Sequence, residues 1–295
     1  MIKEKFIFIN SKGQSVELGN AAPFILLNHE GTGGARTDVQ MRKLAFQDGQ
    51  TFTGANYSER PITLSFLIKA QSQEELFRNR ALISQVLNSM LGLGTLQYDF
   101  GSGILEIDAV VENGPTFPSG ESNRDNTFQV AVVDLICPSP FFRKLEIQKT
   151  EIALWESNFE FPLEIPLDGI EMGIRSPSLI VNVQNDGQVP IGLIIKFKAL
   201  GTVRNPSLFN VNTREWFKLN RIMTAGEVIT VNTNQGKKRV ESTKNGVVSN
   251  IFNNMVFGSN FLQLDIGDNL FRYDADENLD ALEVDIYHTP QYAGV

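Results

Sequence analysis

Alternation of apolar and polar side chains is the main pattern along this chain. Ile62, Leu64, Phe66 and Ile68 alternate with Thr63, Ser65 and Lys69, and Leu105, Ile107, Ala109 and Val111 alternate with Glu106 and Asp108. A period of two puts every second side chain on one face, so each stretch predicts a strand with one buried side. From Asn126 to Cys137 the alternation gives way to the apolar runs Val130-Ala-Val-Val and Leu135-Ile-Cys, which predict a central strand covered on both faces.

One segment breaks the period. Between Ser72 and Leu91, the residues Leu76, Phe77, Ile83, Val86, Leu87 and Met90 recur at three- and four-residue spacing, predicting a helix with these six on its apolar stripe. Ser72 with Glu75 suits a capping box, and Gly92 can adopt the left-handed conformation that ends a helix. The fold class expected for residues 1–145 is mainly β: a β-barrel-like domain with one packed helix at about 72–91.

Two prolines in Cys137-Pro-Ser-Pro-Phe-Phe-Arg143 stop the strongest strand and mark a boundary, since neither can extend a ladder. Beyond lie Glu151-Ile-Ala-Leu-Trp155, the proline-punctuated Phe161 to Pro166, and a series of short β segments about ten residues apart. Residues 146–295 are therefore expected to close as a β-sandwich. Leu262, Leu264 and Ile266 mark one strand there and Leu282, Val284 and Ile286 another, each with a wet face carrying Asp265 or Asp285. Asn245-Gly246 predicts a type I′ hairpin, because both central positions of that turn need positive φ.

Composition narrows the function. The 295 residues are 42% hydrophobic, enough for two cores. The longest apolar stretch, Val189 to Ile195, is broken by Pro190 and stops at Lys196, so no membrane-spanning helix is expected. Met1-Ile-Lys-Glu-Lys-Phe-Ile-Phe-Ile reads as a first strand rather than a signal peptide, which implies synthesis and folding in a cytoplasm. The single cysteine, Cys137, forms no intrachain disulfide and reads as a small buried hydrophobe. Net charge is -8 and the longest basic run is Lys237-Lys-Arg239, which argues against a specific nucleic-acid ligand.

Catalytic inventory is thin. His29 and His288 are the only histidines, no Gly-x-Ser-x-Gly elbow occurs, and one cysteine makes no thiol pair; no catalytic residue, cofactor or metal site is expected. Gly31-Thr-Gly-Gly-Ala-Arg36 has the glycines of a phosphate-cradling loop, but no Lys-Ser/Thr follows and no helix pattern begins. It is expected instead to be a flexible loop, with Arg36, Arg42 and Lys43 available to a neighbouring subunit. Asp274-Ala-Asp-Glu-Asn-Leu-Asp280 spaces its oxygens like a calcium loop, yet Leu279 stands at the glycine position and Asp285 at the closing glutamate, so a polar loop between strands is expected.

Four features carry a family resemblance by their order: Arg60-Pro-Ile-Thr-Leu leading a strand, the helix after it, Cys137-Pro-Ser-Pro-Phe-Phe, and the segment Gly226 to Tyr273 with its Asn-Gly and Gly-Asp-Asn turns. Together they resemble the distal tail proteins of long-tailed phages, or prophages, of Gram-positive bacteria. The resemblance implies a structural role at the virion tail tip. It implies N-terminal domains joined head to tail in a ring, commonly a hexamer, that meets the tail tube protein and the tail-associated fibre or lysin protein. It also implies a galectin-like C-terminal sandwich to which receptor-binding proteins attach. The rival reading is a carbohydrate-binding module recognising host-wall sugar. Sugar platforms favour exposed Trp or Tyr, and two Trp and five Tyr stand against 21 Phe. Trp155 and Trp216 are the candidates, and a sheet residue or interface anchor is the stronger reading of each.

Overall fold

The structure, a computed structural model of the chain, describes residues 4–46, 48–152, 155–157, 173–175 and 180–295. Two units emerge: Met1–Leu145 with Gln291–Val295, and Glu146–Pro290. The second unit is thus an insertion before the last five residues, whereas the proline boundary alone would have assigned those five to it.

The first unit contains β1 (Lys5–Ile9), β2 (Ser15–Leu18), β3 (Phe24–Glu30), β4 (Thr37–Arg42), β5 (Thr51–Tyr57) and β6 (Arg60–Lys69). Helix α1 (Gln73–Val86) follows, then β7 (Gly94–Asp99), β8 (Ile104–Thr116), β9 (Phe128–Cys137) and β10 (Phe142–Lys144). The main path runs β2-β1-β7-β8-β9-β6-β3. Its ends meet where Gly19, just past β2, bridges Ile25 of β3. Every second residue of β6 points inward, so Ile62, Leu64, Phe66 and Ile68 join Phe6, Phe8, Leu96, Ile107, Ala131 and Leu135 in one core. Cys137 is buried there, and burial pushes its thiol pKa up to about 12, leaving it inert.

α1 forms where the spacing predicts it. Ser72 Oγ accepts from the Glu75 N–H at 3.2 Å, and the Glu75 carboxylate reaches back to the Gln71 N–H at 2.8 Å. Leu76, Ile83, Val86 and Leu87 are buried as expected. Phe77 and Met90 are not, at 55% and 89% exposed. Phe77 is turned about 100° from Leu76 around the axis, and Met90 lies past the cap in a separate 3-10 turn, Ser89–Leu91. β9 is central, between β8 and β6, but only alternate side chains are fully buried. Val130, Val132 and Ile136 are half-covered, which corrects the expectation of two fully buried faces.

In the second unit, chain order gives β11 (Gln148–Glu151), β12 (Trp155–Ser157), β13 (Gly173–Arg175), β14 (Ile180–Asn185), β15 (Ile191–Gly192) and β16 (Ile194–Ala199). Then come β17 (Val203–Arg204), β18 (Ser207–Asn210), β19 (Trp216–Lys218), β20 (Ile222–Met223) and β21 (Val228–Asn232). β22 (Arg239–Lys244), β23 (Val247–Asn250), β24 (Gln263–Leu264), β25 (Gly267–Asp274) and β26 (Leu282–His288) complete it. One sheet has the order β11-β26-β16-β21-β22-β23 and a second β14-β25-β18-β19. Phe197 of the first stacks on Phe217 of the second, ring centroids 6.5 Å apart. Asn245 and Gly246 have φ of 51° and 78°, making the two-residue hairpin between β22 and β23.

Two expectations fail here. Ile266 is exposed, because β24 ends at Leu264. Asp285 is buried rather than wet: Lys198 Nζ lies 2.6 Å and Lys149 Nζ 3.5 Å from it, and the Tyr287 hydroxyl donates to it at 3.3 Å. The proline-punctuated stretch Phe161 to Pro166 lies outside the described residues. A final strand, β27 (Gln291–Tyr292), returns to the first unit and pairs with β10. No helix among the described residues is long and apolar enough to cross a membrane.

The first unit's core makes a direct prediction. Phe66→Ala removes a fully buried ring and should destabilise that unit by about 3–5 kcal/mol, read as a lowered urea midpoint in far-ultraviolet circular dichroism.

Candidate functional site

β4 and β5 pair only with each other, as a two-stranded hairpin off the main sheet. Its base is tied by the Ser58 N–H donating to the Arg36 carbonyl at 2.9 Å. The register pairs Thr37 with Tyr57, Val39 with Ala55 and Met41 with Phe52, shifting between Gln40 and Met41. That shift is a β-bulge at Thr53, which bends the strand and changes which face follows. Directly paired residues share a face, so the bulge brings Phe52 onto the same side as Val39, Met41, Ala55 and Tyr57. The other side carries Asp38, Gln40, Arg42, Thr51 and Asn56.

This apolar side faces solvent. Met41 is 57% and Phe52 62% exposed, and Val39, Tyr57, Leu44 and Phe46 are exposed as well. A two-stranded ribbon with an uncovered apolar face is marginal in water, and such a patch marks an interaction surface. Arg36, Arg42 and Lys43 are all exposed, but at opposite ends of the hairpin: Arg36 at its base, and Arg42 with Lys43 at the far end of β4, where Arg42 pairs with Thr51. The preceding Gly31–Gly34 loop leads into a strand, which removes the helix N-terminus that phosphate cradling requires.

A second exposed surface, lined mostly by polar residues, lies on α1. Phe77 and Leu82 are exposed, and Glu75, Arg78, Asn79, Leu82 and Gln85 line a shallow depression. The Asn79 amide nitrogen is buried without a hydrogen-bond partner.

In the second unit, Trp216 is half-buried in β19 opposite Phe209, its ring beside Gly258, where a Cβ would come within 3.5 Å of it. Trp155 lies in β12 opposite Arg175, and its side chain is outside the described residues. The Asp274–Asp280 loop spends its carboxylates on side chains: Asp276 binds Lys218 at 2.6 Å and Asn205 at 2.8 Å, and Glu277 binds Arg204 at 2.9 Å. Among the described residues no group of three His, Cys, Asp or Glu is placed to hold a metal ion.

The comparisons with known proteins fit this layout. The phage tail protein RIFT-related domain matches residues 11–135, and the siphovirus-type tail component C-terminal domain matches residues 186–292. The chain belongs to the siphovirus-type distal tail protein family. As a member of that family it is a structural component of the phage tail tip and baseplate, not an enzyme. Among solved structures it is similar to the Dit protein of phage SPP1, described as a paradigm of hub adsorption apparatus in Gram-positive infecting phages. The TM-score is 0.70 at 12% identity, covering 97% of this chain and 98% of that one. It is also similar to chains of the phage P2 baseplate in its activated conformation. The form with Ca gives TM-score 0.52 at 10% identity over all of both chains, and the form with Sr gives 0.53 at 12% over 98% of each. No curated protein sequence matches the chain.

Two buried titratable groups couple the second unit's stability to pH. Ser242 Oγ at 2.6 Å, Arg221 Nε at 2.8 Å and the Thr224 N–H at 3.2 Å donate to the Glu227 carboxylate. Burial works to raise the Glu227 pKa, but these donors outweigh it and hold it below the usual 4.5. His288 is 4% exposed; its Nε2 meets the Gln184 carbonyl at 3.1 Å, and its Nδ1 is buried without a partner. Burial lowers the His288 pKa against the opposing pull of Gln184 and Asp186, because a second proton would find no acceptor.

Both groups have folded pKa values below their unfolded ones, so both stabilise at higher pH. The His288 contribution is complete above the unfolded value of 6.5 and is lost as pH falls through it. The Glu227 contribution is lost below 4.5. Both tryptophans lie in this unit, so their fluorescence follows it alone. Its urea midpoint should fall as pH drops below 6.5 towards the lower folded value of His288, and His288→Gln, which keeps a donor for Gln184, should flatten that slope.

Proposed function

We propose that the chain is a ring-forming baseplate hub, in which the first unit assembles head to tail with copies of itself, commonly as a hexamer. The observation that carries this reading is the β4–β5 hairpin, whose apolar face of Val39, Met41 and Phe52, with Tyr57 at its base, is exposed. The α1 depression lined by Glu75, Arg78, Asn79, Leu82 and Gln85 is mostly polar and differs from the hairpin in chemistry. Two unlike surfaces make a heterologous contact, and such contacts close into rings when the rotation per subunit allows. Arg36, Arg42 and Lys43 would supply the polar rim of this contact.

The first unit is then a β-barrel-like tail domain, supported by the meeting of β2 and β3 at Gly19 and Ile25. The second is a galectin-like sandwich displayed for attachment of receptor-binding or other baseplate proteins, supported by its two antiparallel sheets joined through Phe197 and Phe217. The ring face would meet the tail tube protein on one side and the tail-associated fibre or lysin protein on the other. Trp216 serves as a packing residue of β19 rather than a sugar platform.

Light scattering after size exclusion, over a concentration series, tests the assembly. Six copies of the 32.9 kDa chain give a species of about 200 kDa. Met41→Asp with Phe52→Asp should return it to a monomer while leaving the tryptophan urea transition unchanged. A double variant that assembles like the parent would remove the hairpin from the interface.

A further inference from the structure

The Gly31–Gly34 loop is not an open cradle: the chain's own last residues lie in it. The Val295 N–H donates to the Thr32 carbonyl at 3.1 Å. Gly294 sits so close to the loop that a Cβ there would come within 2.9 Å of the Gly33 carbonyl carbon and the Gly34 nitrogen. Gly31, at φ 97°, presses against Pro61, where a Cβ would lie 2.2 Å from its carbonyl oxygen. Loop and tail thus meet backbone to backbone, a contact only glycine permits at these positions.

Arg60 closes the arrangement from beneath. It is 2% exposed, and among the described residues no carboxylate pairs with it. Its guanidinium donates instead to four backbone carbonyls: Nε to Pro140 and Nη1 to Gly33, both at 2.7 Å, Nη1 also to Gly31, and Nη2 to Ala293. It also lies over the Phe142 ring at 5.0 Å. A buried cation is tolerated only when its donors are filled, so releasing Ala293 would leave this one short.

Three parts of the first unit converge on this point. β10, the last strand before the second unit, pairs with β27, the first strand after it, through Phe142 with Tyr292 and Arg143 with Gln291. Phe141, next to Pro140, meets Tyr57 at the base of the hairpin edge-on, centroids 5.2 Å apart. β4 begins three residues after Gly34, and Arg60 stands three residues after Tyr57.

We propose that Gln291–Val295 is a latch, seated on the Gly31–Gly34 loop and locked by Arg60, that fixes the β4–β5 hairpin in the position from which it engages a second copy of this chain. The latch rests on the reading of the hairpin as the assembly surface. It makes the chain's return from the second unit a condition for holding the hairpin in place.

Hydrogen exchange by mass spectrometry on the full chain tests it, comparing the parent with Arg60→Lys and Gly294→Val. Lysine offers no planar fork for four carbonyls, and valine at 294 lifts the tail without touching the core. The expected result in both is exchange about tenfold faster or more over 291–295 and over the hairpin base at Arg36 and Ser58, with weaker self-association. If Arg60→Lys does not fold, Gly294→Val gives the same readout. A released tail with parental protection at Ser58 would overturn the coupling, and a tail still protected in Gly294→Val would overturn the seating. Exchange is read on single chains, so a parent that never assembles counts against the ring reading while the latch is judged separately.

Discussion

Val39, Met41 and Phe52 on one face of the β4–β5 hairpin look into solvent, while Tyr57 at its base meets Phe141 edge-on. The first unit's core is otherwise well filled: Phe66, Ile62, Phe6 and Leu135 are fully buried, and the sheet path meets itself at Gly19 and Ile25. A chain that buries its strands this thoroughly yet leaves Met41 and Phe52 bare holds a surface whose energy is recovered only on association. The bulge at Thr53 shows how that face is built, since without it Phe52 would turn to the polar side. Everything inferred about assembly depends on this one uncovered face.

The rest of the first unit sets where the hairpin stands. Arg60 gathers carbonyls from the loop before the hairpin, from Pro140 just ahead of the strand leading to the second unit, and from Ala293 just past the strand returning from it. Hydrogen bonds from a charged donor are stronger than neutral ones, and a buried cation left short of acceptors is costly. The buried guanidinium therefore penalises any arrangement in which one of those segments drifts away. In the second unit the polar devices hold sheets instead: Arg221 neutralises Glu227 six residues away, and Lys198 and Lys149 close over Asp285 from the two strands beside it.

Much of this was legible from residue patterns, and the failures have physical causes. The alternation at Ile62 to Ile68 fixed a strand because one buried face demands it, and Leu76, Ile83 and Val86 fixed a helix for the same reason. Phe77 and Met90 were misplaced because spacing rules tolerate neighbours that geometry turns outward. The hairpin escaped notice because its bulge puts Phe52 out of phase with Ala55 and Tyr57, and Asn, Gln and Thr fill the intervening positions. Asp285 looked wet because alternation cannot see Lys198 and Lys149 closing over it. The role of Arg60 was beyond any local pattern, since the carbonyls it binds stand 27 to 233 residues away in sequence. Arg36, Arg42 and Lys43 were read as available to a neighbouring subunit; the structure exposes all three, at opposite ends of the hairpin, and the loop expected to be flexible is tied by backbone contacts.

On the proposed reading, this tail-tip component assembles through its hairpin into a closed ring. Electron cryomicroscopy of the purified chain at assembling concentration is the most direct measurement. The account predicts class averages with cyclic symmetry in which each hairpin is covered by the next copy. Particles that stay single, or that pair by a two-fold contact with residues 37–57 still in solvent, would contradict it.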